Sequence, residues 1–136
     1  MNKTTIIGIY FLLSILLIGC KPQDGVTRFD LSGSVTYNGK PIPSGTIMFL
    51  PDVTQNNMGS PGFAVIENGQ YNTNKKGNSP VGGPHEIVID GRDGVAYIDS
   101  LGAKEPQGKK LFEPYSLRMD LPKKSRETID FDVPTQ

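Results

Sequence analysis

The sequence predicts an all-β protein, a single antiparallel β-sandwich of about seven strands. Apolar and polar residues alternate in several short runs, the pattern of strands buried on one face. Sixteen glycines and eleven prolines punctuate the 136-residue chain, and abundant Gly and Pro between short apolar runs belong to a domain rich in turns. No stretch repeats its apolar residues at a convincing helical spacing. The chain is long enough for one domain and not two.

Each strand has its own signal. Phe29, Leu31, Gly33, Val35 and Tyr37 fall two apart with polar residues between them, which predicts a first strand. Asn38-Gly39-Lys40-Pro41-Ile42-Pro43-Ser44-Gly45 reads as a turn-rich loop, because Gly supplies positive φ and Pro removes donors. A second strand is expected over 46–50, stopped by Pro51. The runs 62–67 and 70–73 flank Asn68-Gly69, the two-residue loop of a type I′ hairpin. The next strand, 85–90, is reached through Gly82-Gly83-Pro84. A final pair, 116–121 and 128–133, is expected around the turn Pro122-Lys123-Lys124-Ser125. Residues 91–110 lack sustained alternation, although a short strand near 95–98 would shorten that loop. A loop of this length in a compact domain is usually functional or mobile.

The N-terminus carries a different message. Lys3 supplies a positive start, and an apolar run over 6–18 ends at Leu17-Ile18-Gly19-Cys20, the layout of a secretory signal peptide. As a helix the run would reach roughly 20 Å, short of a hydrocarbon core of about 30 Å, so it reads as a leader rather than a transmembrane span. Cys20 is the only cysteine, so no disulfide holds the domain. Leu17-Ile18-Gly19-Cys20 resembles a bacterial lipobox, which implies lipidation (diacylglyceryl and palmitate) of Cys20 after cleavage. The expected organisation is a lipoprotein signal peptide at 1–19, the lipidated cysteine and a short tether at 20–29, and the β-domain at 30–136. The product is expected in the cell envelope, membrane-anchored and exposed to the periplasm or the cell surface.

The run Gly33-Ser34-Val35-Thr36-Tyr37-Asn38-Gly39-Lys40-Pro41-Ile42-Pro43-Ser44-Gly45-Thr46-Ile47-Met48-Phe49-Leu50-Pro51 is more specific than its parts. It resembles the carboxypeptidase regulatory-like domains, most closely the small lipoproteins of this type abundant in planctomycete bacteria. Asn68-Gly69-Gln70-Tyr71, the segment from Gly83 to Ile89, Glu113-Pro114-Tyr115 and Ile129-Asp130-Phe131-Asp132-Val133 extend the match, the last two less closely. The resemblance implies a transthyretin-like (prealbumin-like) sandwich with Gly39 and Gly45 in turns, Pro41 fixing φ, and Val35, Ile47 and Phe49 facing the core. Its motif residues look structural, and such a family predicts architecture better than activity.

The residues that carry chemistry are few. His85 is the only histidine; a zinc or iron site commonly needs several His, Cys or carboxylate ligands. It reads as a half-buried strand residue. No Gly-x-Ser-x-Gly elbow accompanies it. The 5-hydroxyisourate hydrolases of the same architecture need more histidines and a Tyr-Arg-Gly-Ser tail, whereas this chain ends Asp132-Val133-Pro134-Thr135-Gln136. The intradiol dioxygenases need two Tyr and two His. Asp90-Gly91-Arg92-Asp93-Gly94 resembles part of a calcium loop without its remaining oxygens, and turn chemistry is the better reading. Asp130 and Asp132, with Glu127 nearby, read as an exposed acidic face, a cation site being the alternative. Lys75-Lys76, Lys109-Lys110 and Lys123-Lys124 read as solvated turn charges that blunt strand edges, with weak contact to anionic glycan or headgroups as the alternative. An isopeptide bond has no support, since the lysines fall in loops.

Fourteen basic residues balance fourteen acidic ones, which argues against the basic face of a nucleic-acid binder and against a polybasic membrane patch. The expectation is a non-enzymatic binding or structural module with no catalytic residues, cofactor or metal, held to a membrane through Cys20, with a protein or polysaccharide partner on its loops. The alternative is an accessory subunit of a secreted hydrolase or transporter, or a weak hydrolase. Intact-mass analysis of the membrane fraction should show a chain beginning at Cys20 with diacylglyceryl mass added, and Cys20→Ser should block processing. A chain cut elsewhere would defeat the assignment.

Overall fold

Alternation places the strands, and turn residues set their limits. In a computed structural model of the protein, which describes residues 25–135, the strands are β1 Leu31–Tyr37, β2 Lys40–Pro41, β3 Ser44–Pro51, β4 Gly62–Glu67, β5 Gln70–Asn72, β6 Gly77–Asn78, β7 Gly83–Arg92, β8 Tyr97–Ile98, β9 Lys104–Glu105, β10 Tyr115–Leu121, β11 Glu127–Thr128 and β12 Phe131–Val133. Among the described residues a single 3-10 turn, Val53–Gln55, interrupts them. The protein is all-β, its mainly antiparallel sheets curled into a half-barrel. The expected leader, Cys20 and the start of the expected tether lie outside the described residues.

The main path of the sheet runs β10-β7-β3-β4-β5-β1-β11. Long, regular ladders hold its first half: β3 pairs with β7 from Ser44↔Arg92 to Pro51↔His85, and β7 with β10 from Gly83↔Leu121 to Ile89↔Tyr115. The curl brings Ile47, Phe49, Ile87 and Ile89 of this half into one core with Leu31, Val35, Phe131 and Val133 of the other. Phe49, Tyr71 and Phe131 link the two halves, with ring centroids 6.0 and 5.9 Å apart. Val35, Ile47 and Phe49 face the core as expected and are fully buried. Truncating a side chain of this kind to alanine costs about 2–5 kcal/mol.

The expected hairpin at Asn68-Gly69 is present, both residues having positive φ (49° and 73°), as a type I′ turn requires. Asn38-Gly39 makes a second such turn (φ 53° and 70°), pairing Tyr37 with Lys40, where the sequence reading expected only a loop. Gly45 lies inside β3 rather than in a turn. A Cβ there would stand 2.2 Å from the Asp90 carbonyl oxygen, so its small size serves a close approach between strands.

The C-terminal segment departs furthest from expectation. The runs after residue 115 do not pair with each other. β10 joins β7, and the chain then crosses to β1, where β11 and β12 run parallel to it. The sheet is therefore not purely antiparallel. β1 becomes the shared strand, with β5 and β2 on one side and β11 and β12 on the other.

Contact with the crossing chain is tightest at Gly33, where a Cβ would lie 2.0 Å from the Ile129 carbonyl oxygen. The Tyr71 hydroxyl donates to that same oxygen at 2.9 Å, and the Ile129 amide donates to the Ser32 carbonyl at 2.9 Å. No side chain fits between these backbones. Gly33→Ala should lower unfolding stability in a denaturant titration by about 3 kcal/mol or more, while Ser32→Ala should stay within about 0.5 kcal/mol of the parent. A neutral Gly33→Ala would mean that the crossing is loose.

Candidate binding surface

Residues 91–110 form a folded arm rather than a structureless loop. Arg92 ends β7 with its guanidinium on the Asp90 carboxylate, Nε to Oδ1 at 3.2 Å and the terminal nitrogen to Oδ2 at 3.0 Å. Asp93 then closes the base of the arm. Its Oδ1 accepts from the amides of Val95 (2.9 Å) and Lys109 (3.0 Å), while its own amide donates to the Lys109 carbonyl at 2.9 Å. β8 and β9 form the shaft, Tyr97 opposite Glu105 and Ile98 opposite Lys104. Asp99 repeats the device at the tip, where its Oδ1 accepts from Leu101 at 2.9 Å and Ala103 at 2.8 Å. Short carboxylates that bond backbone amides a few residues on are the ordinary currency of turns. The calcium-loop fragment thus resolves into turn chemistry.

A scaffold closed this way holds its side chains outward. Val95, Ile98 and Leu101 are 66%, 72% and 92% exposed, three large apolar chains on one short arm. Lys104, Lys109 and Lys110 are exposed beside them, and the Lys109 ammonium sits 5.4 Å from the Tyr97 ring centroid. Isolated exposed apolar residues need no explanation; three on one short arm make it the candidate binding surface.

The arm also has a defined position. It leaves β7 at Arg92, whereas the chain enters the domain near the other end of β7, where the Phe29 amide donates to the Pro80 carbonyl at 2.9 Å and Asp30 accepts from the Ser79 hydroxyl at 2.6 Å. A ten-residue strand separates the two by about 30 Å at roughly 3.3 Å per residue.

The other residues singled out from the sequence have structural partners. Asp130 Oδ1 accepts from the Ser34 amide at 2.7 Å and hydroxyl at 2.8 Å, bonds that hold its carboxyl below the ordinary carboxylate value. Asp132 accepts from the Thr36 hydroxyl at 2.7 Å. Both residues are exposed, as expected, and their carboxylates also stitch the C-terminal segment to β1. Among the described residues no group of three His, Cys, Asp or Glu side chains is placed to hold a metal ion. The paired lysines at 75–76, 109–110 and 123–124 are all exposed. Lys76 pairs with Glu67 at 2.7 Å, closing the rim of a polar groove beside β5 lined by Gln70, Asn72 and Lys75.

Sequence reasoning missed Asp52, a buried carboxylate that caps the 3-10 turn. It accepts from the Thr54 amide (3.0 Å) and hydroxyl (2.5 Å) and from Gln55 (3.1 Å). The Thr54 and Gln55 side chains hold its pKa below the ordinary value. The available signal was Asp just after Pro51 and two residues before Thr, a capping pattern.

His85 is fully buried rather than half-buried, at 1% exposure. Its Nδ1 lies 2.8 Å from the Gly83 carbonyl, which can only accept, so Nδ1 carries the proton. Nε2 is then left as a buried acceptor with no hydrogen-bond partner. The ring has no access to a substrate in solvent. No family model, curated protein or solved structure matches the chain.

Burial lowers the His85 pKa below its ordinary 6.5, against smaller opposing contributions from the Gly83 hydrogen bond and the Asp120 carboxylate on β10. The unfolded chain therefore binds this proton first as pH falls. The contribution is fully present above pH 6.5 and is lost below it at up to about 1.4 kcal/mol per pH unit. Denaturant midpoints measured from pH 7.5 to pH 5 should fall with acidification, and His85→Gln should flatten the slope. An unchanged slope would remove His85 as the source.

Proposed function

We propose that this chain is a non-enzymatic cell-envelope lipoprotein, acylated at Cys20, whose β-domain presents the 91–110 arm to a protein partner at the periplasmic or outer surface. The observation that carries this reading is the arm itself: a hairpin braced by Asp93 and Asp99 that exposes Val95, Ile98 and Leu101. Rigid scaffolds carry their binding residues on such connections. The apolar chains favour a protein surface over a polysaccharide. The arm's position also suits the role, since a short tether at the far end of β7 leaves it facing away from the anchoring membrane.

The finer fold belongs to the same proposal. The order β4-β3-β7-β10 on one side of the core and β5-β1-β12 on the other supports a transthyretin-like sandwich, and the Gly33–Pro51 run supports the carboxypeptidase regulatory-like type.

Replacing Val95, Ile98 and Leu101 together by serine tests the assignment while leaving both aspartates in place. The melting temperature should stay within about 2–4 °C of the parent, and the partner captured by the intact lipoprotein from solubilised membranes should be lost. Capture undiminished by the triple change would overturn the assignment. A hydrolytic activity abolished by His85→Ala would replace it with the enzyme alternative.

A further inference from the structure

A half-barrel has free edges, and the longest among the described residues is β10. It pairs with β7 on one side only. Its outward hydrogen-bonding groups follow from the ladder. The Leu111 amide donates to the Gly91 carbonyl and the Asp93 amide to the Lys109 carbonyl, so odd-numbered residues of β7 turn their polar groups toward β10. The Asp52 amide bonds the Pro84 carbonyl on the opposite flank, which agrees with this parity. Tyr115, Leu117, Met119 and Leu121, in register with odd residues of β7, therefore bond inward. Ser116, Arg118 and Asp120 turn their amides and carbonyls to the open edge.

Natural edge strands are usually short, or carry proline, lysine or a bulge that blocks pairing with another chain. Tyr-Ser-Leu-Arg-Met-Asp-Leu has seven residues with no proline, lysine or bulge between Pro114 and Pro122, and its two charges, Arg118 and Asp120, are of opposite sign. Its inward side chains are incompletely covered as well. Tyr115, Leu117 and Met119 are only partly buried against the core, whereas Ile89, Ile87 and His85 opposite them are sealed.

We propose that this edge pairs with a second copy of itself, antiparallel about a two-fold axis through Met119. That register sets Arg118 opposite Asp120 of the other copy, twice over, brings the two Met119 side chains together and sets Leu117 against Leu121. The neighbouring register, centred on Arg118, would set two arginines opposite each other, and like charges directly across strands are destabilising. The charge order Arg-x-Asp is thus self-complementary in one register. Two-fold interfaces are self-complementary in this sense, and strand addition at a sheet edge is an established mode of recognition. The pairing uses β10 and leaves the 91–110 arm free, so it stands or falls separately from the proposed role of the arm.

Oxidative cross-linking of the full-length protein in its membrane tests the register. Met119→Cys should give a covalent dimer on a non-reducing gel, above the level of the parent chain with its Cys20 alone. Leu117→Cys and Arg118→Cys, which meet themselves only in the neighbouring registers, should not. In the Met119→Cys background, Arg118→Asp should reduce the dimer about tenfold, and adding Asp120→Arg should restore it, because the exchanged pair is again complementary. Melting curves for each variant separate lost pairing from lost folding. Absence of the Met119→Cys dimer in folded protein, equal dimer from Leu117→Cys, or failure of the exchanged pair to restore it would each overturn the proposal.

Discussion

The fold depends on a passage one atom wide. At Gly33 the returning C-terminal chain comes close enough to β1 that no side chain fits between them. The Ile129 carbonyl lodged there also receives the Tyr71 hydroxyl. Tyr71 in turn packs, tilted, between Phe49 and Phe131, so the passage ties the sheet's regular half to its irregular one. Without it, β12 could not reach the second half of β1, and the core would lose Phe131 and Val133 from one wall. The carboxylates of Asp130 and Asp132, bonded to Ser34 and Thr36, keep the crossing chain in register over the rest of its length. Polar side chains on the outer face thus guide what apolar side chains on the inner face hold.

Much of this was legible where a strand buries one face against the core. Period-two alternation gives β4 to the residue and β1 and β7 to within two residues at each end, because burial acts on every second side chain. The same alternation bears on His85: Gly83, His85, Ile87, Ile89 and Gly91 share one face, so the histidine is as buried as the isoleucines. Asn38-Gly39 carries the same turn chemistry as Asn68-Gly69, but Pro41 and Pro43 after it suit a loop as well as a strand. The C-terminal crossing was harder to see. Pro122-Lys123-Lys124-Ser125 is good turn material for either a hairpin or a crossing, and what decides between them is a missing side chain at Gly33, about ninety residues earlier. The arm was the least legible feature of all, since side-chain-to-backbone bonds from two aspartates shape it and no apolar period records them.

The distribution of polar groups separates structure from surface. Buried or half-buried carboxylates at Asp30, Asp52 and Asp90 each meet donors from their own domain. The buried imidazole satisfies one nitrogen and leaves the other as an unmatched acceptor in the core. That deficit is tolerable only while the ring stays neutral. Residues with chemical potential are therefore mostly occupied in holding the fold, and the arm adds three of the exposed large apolar side chains, Val95, Ile98 and Leu101, to those at Val53 and Met58.

The placement of the arm has a mechanical consequence. The chain enters near one end of β7 and the arm leaves from the other, so a pull between them runs along the length of that strand. β7 is bonded on both flanks, to β3 and to β10, and tension along its axis acts on both ladders in shear. Their hydrogen bonds must then stretch together, whereas a force applied across the sheet would open them one at a time. A small domain with no disulfide thus resists being drawn out along the axis that joins its point of entry to its arm.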